Sequence, residues 1–237
     1  MALSPDETRR YARHLVLRDL GGAGQQKLKA ARVLVIGAGG LGSPVIAYLA
    51  AAGVGTLGVV DDDSVALSNL QRQFVHRTDA IGAGKTESAG AFVAALNPHV
   101  AFVAHPVRLD ADNAGALFQS YDVVVDGSDS FETRRVVAGA AERARLPLVS
   151  GAVMAWDGQV TAFLPGGRRF ADLYPVAPDE ADTPTCEMVG VLGAVTGVIG
   201  TLMAVEAVKI ITGVGTPLSG RLLLYSGRDG RFTDVDF

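Results

Sequence analysis

The stretch Gly37-Ala-Gly-Gly-Leu-Gly42 constrains the fold of this 237-residue chain more than any other feature. It follows a Val-, Leu- and Ile-rich run at 32–36 that predicts a buried strand, and it precedes an apolar helix predicted over 44–52. A second strand is predicted over 56–60, which completes a βαβ unit. Glycines at such a turn let the backbone approach a phosphate, and the helix N-terminus offers free N–H groups. The stretch therefore predicts a nucleotide site on an α/β fold.

Three aspartates, Asp61, Asp62 and Asp63, follow the second predicted strand. A carboxylate at this point of a βαβ unit accepts hydrogen bonds from ribose hydroxyls, and Asp61 is the expected acceptor. A tight turn without a ligand would need the glycines but not the acid. The pattern leaves the nucleotide open, and an NAD-dependent oxidoreductase is one alternative that the glycine turn and Asp61 favour.

Hydrophobic periodicity predicts the remaining elements, and all of them fit one α/β domain over residues 1–237. An N-terminal helix is predicted over 4–20, with Ser4 as its cap and a stop near Gly21-Gly22. The nucleotide-binding core is expected over 31–164, as a Rossmann-like, mainly parallel sheet flanked by helices. Within and after this core we predict helices over 84–96 and 131–145, strands over 100–105, 121–125, 148–150 and 159–164, and antiparallel C-terminal strands over 221–225 and 231–235.

Two segments near the C-terminal end need separate interpretation. Residues 165–187 are rich in Pro and Gly, and we expect a mobile crossover loop there. Residues 188–205 form a stretch without charged side chains, and the length of this stretch is near that of a membrane span. Four glycines within this segment, and Glu206 directly after it, favour a buried, tightly packed core helix within the unit 188–237.

Composition excludes several classes of protein. The net charge of −4 provides no global basic field for nucleic acid, although a local basic patch stays open. The single cysteine, Cys186, excludes an intrachain disulfide and a Cys-rich zinc site. Residues 1–7 contain acids and no apolar run, so no signal peptide is expected. We therefore expect a cytoplasmic protein that binds neither membrane nor nucleic acid.

A second polar set accompanies the glycine turn. Ser68-Asn-Leu-Gln-Arg-Gln73 brings Asn69, Arg72 and Gln73 together, and Lys85 opens the next helix. Asp126-Gly-Ser-Asp129 follows the fourth predicted strand. Because ligands of open α/β sheets collect at the carboxyl ends of strands, we expect these groups to converge on one crevice. In a dehydrogenase the cationic side chains of Arg72 and Lys85 would have no role, and the chain lacks an obvious catalytic Tyr-Lys pair or His.

On these residues the chain resembles the ThiF/MoeB/HesA family, bacterial relatives of the ubiquitin-activating enzymes. The resemblance spans nearly the whole chain. Its matching stretches are 10–13, 37–42, 67–73, 84–85, 97–99, 126–129 and 186–190. It implies a homodimer that uses ATP and Mg²⁺ to adenylate the C-terminal carboxylate of a small ubiquitin-like sulfur carrier (ThiS/MoaD type) with a Gly-Gly tail. Release of pyrophosphate would begin sulfur transfer for thiamine, molybdopterin or tRNA thiolation.

The resemblance also implies roles for single residues. Asp61 would hold the ribose, and Asp129 would bind Mg²⁺. Arg13 would reach across the dimer into the partner's site. Asn69, Arg72 and Lys85 would contact the phosphates. The full nucleotide-binding set is Gly37, Gly39, Gly40, Gly42, Asp61, Asp63, Asn69, Arg72, Gln73, Lys85 and Asp129.

The implied chemistry needs such cations. A C-terminal carboxylate is ionised at pH 7, so it can attack the α-phosphate without a general base. The obstacle is the approach of an anion to a polyanion. Mg²⁺ and the side chains of Arg13, Arg72 and Lys85 can neutralise that charge. Asp129 cannot stabilise phosphate directly, so ligation of the metal through hard oxygen is its expected role.

Cys186 has two interpretations of equal weight. In some members of the family a cysteine at this place links to the carrier during sulfur transfer; otherwise it is an inert loop residue. The Cys-x-x-Cys pairs that hold zinc in many members are missing, so no zinc is expected. Ser130 stands where the family usually has Asn. A fused rhodanese domain is also missing, so a separate sulfur donor is expected, such as a cysteine desulfurase or a rhodanese. An ATP-dependent tRNA-modifying relative and a catalytically idle binding module are further alternatives.

Overall fold

Eight strands form one sheet in the computed structural model, which describes residues 2–176 and 189–237. The order of the strands is β3-β2-β1-β4-β5-β6-β7-β8. The pairs among β1 to β5 are parallel, and those from β5 to β8 are antiparallel. This confirms the mainly parallel, Rossmann-like sheet with antiparallel C-terminal strands. The strands are β1 (Arg32–Ile36), β2 (Thr56–Val60), β3 (Ala101–His105), β4 (Val123–Asp126), β5 (Leu148–Met154), β6 (Asp157–Phe163), β7 (Arg221–Ser226) and β8 (Arg231–Asp236).

Helices cover both faces of this sheet, because the central strands are apolar on both sides. Val33 and Val35 of β1 belong to one hydrophobic core, and Leu34 and Ile36 belong to the other. Nine α-helices lie within the described residues. They are α1 (Pro5–Arg10), α2 (Ala12–Leu15), α3 (Gly21–Ala30), α4 (Gly42–Ala52), α5 (Lys85–Leu96), α6 (Ala114–Phe118), α7 (Phe131–Ala144), α8 (Phe170–Leu173) and α9 (Gly193–Thr212). Helices α3, α4, α5 and α9 share the first core, and α6 and α7 share the second.

Helix α9 is the one described helix whose length and apolar composition would allow it to cross a membrane. In this structure it packs against α4, β5 and β6, with Val195, Ile199 and Met203 buried. Gly200 sits directly against Leu41 and Pro44, where a Cβ atom would lie 2.6 Å from the Leu41 carbonyl oxygen. The predicted close-packed core helix is confirmed.

The predicted continuous helix over 4–20 is wrong. Ser4 does cap α1, since the Glu7 N–H donates to Ser4 Oγ at 3.2 Å and the Ser4 N–H donates to the Glu7 carboxylate at 2.7 Å. The helix breaks at Tyr11, whose ring is buried against Gly53 and whose hydroxyl accepts a hydrogen bond from Asn97 at 2.9 Å. Gly21, with φ +54°, opens α3 instead of ending a helix. These long-range contacts outweigh local helix propensity.

The predicted loop over 165–187 is only partly described. Within residues 165–176 the chain contains the four-residue helix α8 between irregular segments, and there Phe170 packs against Phe131, Phe163 and Tyr174 at ring-centroid distances of 4.8–5.9 Å. Residues 177–188, including Cys186, lie outside the described residues, so the two interpretations of Cys186 stay predictions.

Candidate functional site

The carboxyl ends of three parallel strands meet at one edge of the sheet. Ile36 at the end of β1 pairs in register with Val60 of β2 and with Asp126 of β4. Strand β1 pairs with β2 on one side and with β4 on the other, so the order of the strands reverses at β1. Such a reversal is the topological switch point where open α/β sheets bind ligands. A cavity of about 370 Å³ opens there. The predicted convergence of the glycine turn with residues that follow β2 and β4 is confirmed.

The glycine turn needs glycine for two different reasons. Gly37 has φ +87°, a left-handed conformation that side chains disfavour. A Cβ on Gly42 would overlap the Gly37 carbonyl oxygen, so the first turn of α4 closes tightly over the end of β1. Gly39 and Gly40 line the cavity instead, and the carbon chain of Arg72 passes 3.4 Å from the Cβ position of Gly40. Backbone N–H groups therefore face a space large enough for phosphates.

Asp61 supports the turn from the end of β2. The Ala38 N–H donates to Asp61 Oδ2 at 2.8 Å, and the Asp63 N–H donates to Oδ1 at 3.0 Å. Burial raises the pKa of Asp61 above its ordinary value, and Lys85 and these hydrogen bonds oppose that rise. Each carboxylate oxygen can accept more than one hydrogen bond, so Asp61 retains lone pairs for a ribose hydroxyl.

Lys85 is buried in the cavity wall and faces two carboxylates. Its Nζ lies 2.7 Å from Asp63 Oδ2 and 3.9 Å from Asp61 Oδ1, and only 8% of its side chain is exposed. A buried ammonium group is stable only when it is paired. Bound phosphate would offer Lys85 a second set of anionic partners in the same cavity.

Three arginines complete the positive part of the cavity. Arg72 lies beside the glycine turn, as predicted, and donates to the Ser68 carbonyl at 3.1 Å. Arg108 and Arg134 also line the cavity, and sequence reasoning missed both. Arg134 donates twice to the Ser128 carbonyl, at 3.2 and 2.8 Å, which stiffens the turn after β4. The sequence signal that could have identified Arg134 is its position about one helical turn after the Asp126–Asp129 stretch.

Asp129 lies exposed at the cavity wall. None of the hydrogen bonds or ion pairs formed within the described parts of the chain engages its carboxylate. Such oxygens suit a hard divalent cation, so Asp129 fits Mg²⁺. Asp61, Asp62 and Asp63 also bring carboxylate oxygens within 4.8 Å of one another, but Lys85 already occupies part of that group. Ser130, in place of the family's usual Asn, caps α7 by accepting from the Thr133 N–H at 3.1 Å.

Unpaired buried polar atoms concentrate around this cavity. Four buried side-chain oxygens have no hydrogen-bond partner among the described residues: those of Ser43 (Oγ), Gln73 (Oε1), Asp126 (Oδ2) and Ser128 (Oγ). Gln73 and Ser128 line the cavity, and Ser43 and Asp126 lie in the elements that form it. Buried polar groups are normally paired, so this concentration marks a site where ligand or water supplies the missing partners.

Three predicted site residues of the described chain do not line the cavity, and one of them is Gly42, which packs against Gly37. The Asn69 side chain accepts a hydrogen bond from the Ala66 N–H at 3.1 Å and does not line the cavity in this structure. Arg13 is exposed on α2 and does not line it either. The predicted phosphate contact of Asn69 and the reach of Arg13 into a partner's site stay predictions, as does the expected lack of zinc.

The fold and the site together define an α/β nucleotide-binding protein with a cation-lined phosphate crevice. The chain belongs to the ThiF family, whose model matches residues 11–237.

Curated relatives cover almost all of this chain. The probable adenylyltransferase/sulfurtransferase MoeZ of Mycobacterium tuberculosis is 47% identical, across 99% of this chain and 61% of its own length. The SAMP-activating enzyme E1 of Haloferax volcanii is 45% identical, across 100% of this chain and 88% of its own length. The sulfur carrier protein adenylyltransferase of Thermus thermophilus is 45% identical, across 98% and 88%. The chain thus spans about three fifths of MoeZ and most of the other two.

Solved structures agree on the fold. Escherichia coli MccB with AMPCPP and MccA superposes with a TM-score of 0.86 at 21% identity, over 97% of this chain and 71% of that chain. PaaA gives a TM-score of 0.83 at 23% identity, over 99% and 74%. At such identities the likeness shows the fold alone.

Proposed function

We propose that this chain adenylates the C-terminal carboxylate of a small ubiquitin-like sulfur carrier at the expense of ATP. One observation supports this most directly: Arg72, Lys85 and Asp129, which lie in three separate stretches of the sequence, all line the cavity of the glycine turn. The Thermus relative is named a sulfur carrier protein adenylyltransferase, and the Haloferax relative is named an activating enzyme E1, which supports the proposal. Family membership disfavours the NAD-dependent alternative, which depended on the glycine turn and Asp61 alone.

In the proposed reaction a carrier carboxylate oxygen attacks the α-phosphorus of ATP. The bond from that phosphorus to the oxygen bridging to the β-phosphorus breaks, and pyrophosphate leaves with the bonding electrons. No proton must be removed, because the carboxylate is already ionised. Lys85 and Arg72 stabilise the charge that develops on the phosphates. Mg²⁺ held at Asp129 supplies further charge neutralisation when it is bound.

We also propose a homodimer. A second cavity, about 470 Å³ in volume, lies on the outer side of α4 and α9 and is lined largely by apolar residues. Leu17 is 54% exposed there, Tyr48 55% and Val205 47%, which is unusual for a monomer surface. His14 lines this surface, and Arg13 is its neighbour on α2. This placement supports a route for Arg13 into a second copy and not into its own cavity.

The remaining partners follow from the proposed reaction. The family resemblance implies that the carrier has a flexible tail that ends in Gly-Gly. The acyl-adenylate needs a sulfur donor, which we propose to be a cysteine desulfurase or a rhodanese. A cytoplasmic location is consistent with these partners.

ATP–pyrophosphate exchange with candidate carriers tests the proposal. Wild-type exchange should require a carrier with its terminal Gly-Gly, and a carrier without the last glycine should give none. Lys85→Ala and Asp129→Ala should each lower exchange by roughly 100- to 1000-fold, the usual effect of losing one group that stabilises transition-state charge. Lys27→Ala and Asp79→Ala, outside the cavity, serve as controls and should exchange at the wild-type rate. Exchange without any carrier, exchange that depends on tRNA, or full activity of both cavity variants would contradict the proposal.

A further inference from the structure

A histidine with no assigned role lies directly beneath the glycine turn. His76 is only 4% exposed. Its Nε2 lies 2.9 Å from the carbonyl oxygen of Ala38, and its Nδ1 lies 3.0 Å from Ser88 Oγ. Ser88 belongs to α5, the helix that begins with Lys85. One imidazole therefore joins the glycine turn to the helix that carries Lys85.

These contacts determine the tautomer of His76. A carbonyl oxygen only accepts hydrogen bonds, so Nε2 must carry the hydrogen that bonds Ala38. In the neutral ring Nδ1 is then an acceptor, and the Ser88 hydroxyl donates to it. Burial lowers the pKa of His76, which favours this neutral form. Lys85 disfavours a second positive charge nearby, and Asp61 opposes that effect only in part.

The bond to Ala38 sets the direction of the next N–H group. The peptide between Ala38 and Gly39 is trans and planar, so the Ala38 carbonyl and the Gly39 N–H point in opposite directions. His76 holds that carbonyl toward the interior, which directs the Gly39 N–H toward the cavity that Gly39 lines. No described group accepts a hydrogen bond from this N–H. On its other side the Ala38 N–H is held by Asp61 at 2.8 Å.

We infer that His76 is a positioning residue that keeps the Gly39 N–H aimed at the phosphates of bound ATP. The inference rests on the proposed function only insofar as ATP is the ligand of the cavity. Without the histidine donor the peptide is free to rotate, because glycine at position 39 permits either orientation. Loss of the oriented N–H should weaken phosphate binding and leave adenosine binding intact.

Two substitutions separate the hydrogen bond from simple packing. His76→Phe keeps a buried ring but removes the donor, and His76→Gln supplies an amide N–H that reaches a similar position. His105→Phe is the matched control, because the His105 Nε2 bonds the Tyr121 hydroxyl at 2.7 Å and the residue is outside the cavity lining. ATP affinity is measured by titration calorimetry, adenosine affinity by competition against ATP, and folding by thermal melting.

We expect His76→Phe to weaken ATP binding by roughly 10- to 100-fold, the usual value of one hydrogen bond to a charged group. Adenosine affinity should stay within about threefold of the wild type, and His76→Gln should restore most of the ATP affinity. His105→Phe should change neither affinity.

Three results would overturn the inference: unchanged ATP binding in His76→Phe, equal loss of ATP and adenosine binding, or a Gln variant no better than the Phe variant. A wild type that binds no ATP would overturn both proposals. Binding is measured without carrier, so a lack of carrier-dependent exchange would refute the proposed function alone.

Discussion

Two glycines of α9 should respond in opposite ways to the same substitution. Gly200 is buried, and a Cβ there would lie 2.6 Å from the Leu41 carbonyl oxygen and closer still to Cγ of Pro44. Gly197, one turn earlier, would place a Cβ where no described atom lies within 4 Å. Both are inside the helix, so their backbone propensities are matched. Only the space around the new methyl group differs.

The expected magnitudes follow from these distances. Gly→Ala in a helix interior stabilises by roughly 0.5–1 kcal/mol when the methyl group fits, so Gly197→Ala should raise the free energy of unfolding by that amount. At Gly200 the neighbours are a backbone carbonyl and a rigid proline ring, which cannot rotate away. Overpacking strain of about 3 kcal/mol then exceeds the propensity gain, and Gly200→Ala should be destabilised by about 2 kcal/mol.

Thermal melting and urea titration measure the difference. For a chain of this size, about 1 kcal/mol corresponds to roughly 2–4 °C in Tm, so Gly197→Ala should melt about 1–4 °C higher and Gly200→Ala about 4–8 °C lower than the wild type. Leu41 belongs to the cavity lining, so Gly200→Ala should also weaken ATP binding. Equal Tm shifts for the two variants, in either direction, would refute the packing of α9 against the start of α4.

Two buried carboxyl groups should give opposite pH dependence. Burial raises the pKa of Asp126 above its ordinary value of 3.8, so its ionisation destabilises the fold increasingly as pH rises from about 4. Asp126→Asn should therefore gain stability relative to the wild type as pH rises above about 4 in urea titrations, and a pH-independent difference would contradict this. The pKa of Glu7 is lowered to about 2, because hydrogen bonds from Lys29 and Ser4 outweigh the opposing effect of burial. The stabilisation that ionised Glu7 provides is present above pH 4.5 and is lost as pH falls toward 2. Glu7→Gln should therefore have a lower free energy of unfolding than the wild type at pH 7 and match it near pH 2. A lower stability of the variant that persists at pH 2 would count against the ion pair with Lys29.

Local patterns were sufficient for the central part of the fold. Strands β1 and β2 have the predicted bounds, because apolar runs end abruptly at a glycine turn and at Asp61. Helix α5 begins at Lys85, one residue after its predicted start, and the two C-terminal strands lie where expected. The prediction of one continuous helix over 4–20 is wrong because the position of Tyr11 is decided by Gly53 and Asn97, far away in the chain.

The residues of the candidate site also fall into two groups, those that the sequence predicts and those that only the structure reveals. Arg72 and Lys85 were found because each lies next to a recognisable motif, and Asp129 was found because it follows a strand. Arg108 was missed because it follows β3 in a stretch with no distinguishing pattern. The phosphate contact of Asn69 stays a prediction, because in this structure its side-chain oxygen bonds the backbone of Ala66. Spacing alone does not show which of several polar neighbours points inward.

The amino-acid sequence by itself determined the βαβ unit, the edge of the sheet at which ligands bind, and the family to which the chain belongs. The first two depend on glycine conformations and on apolar periodicity, and the family resemblance depends on short motifs such as residues 67–73, all of which extend over a few residues. Tertiary structure alone decided that His76 meets Ala38 and that Gly200 contacts α4. Such contacts join residues far apart in the chain, and they form only when whole elements pack, so no short stretch of sequence encodes them.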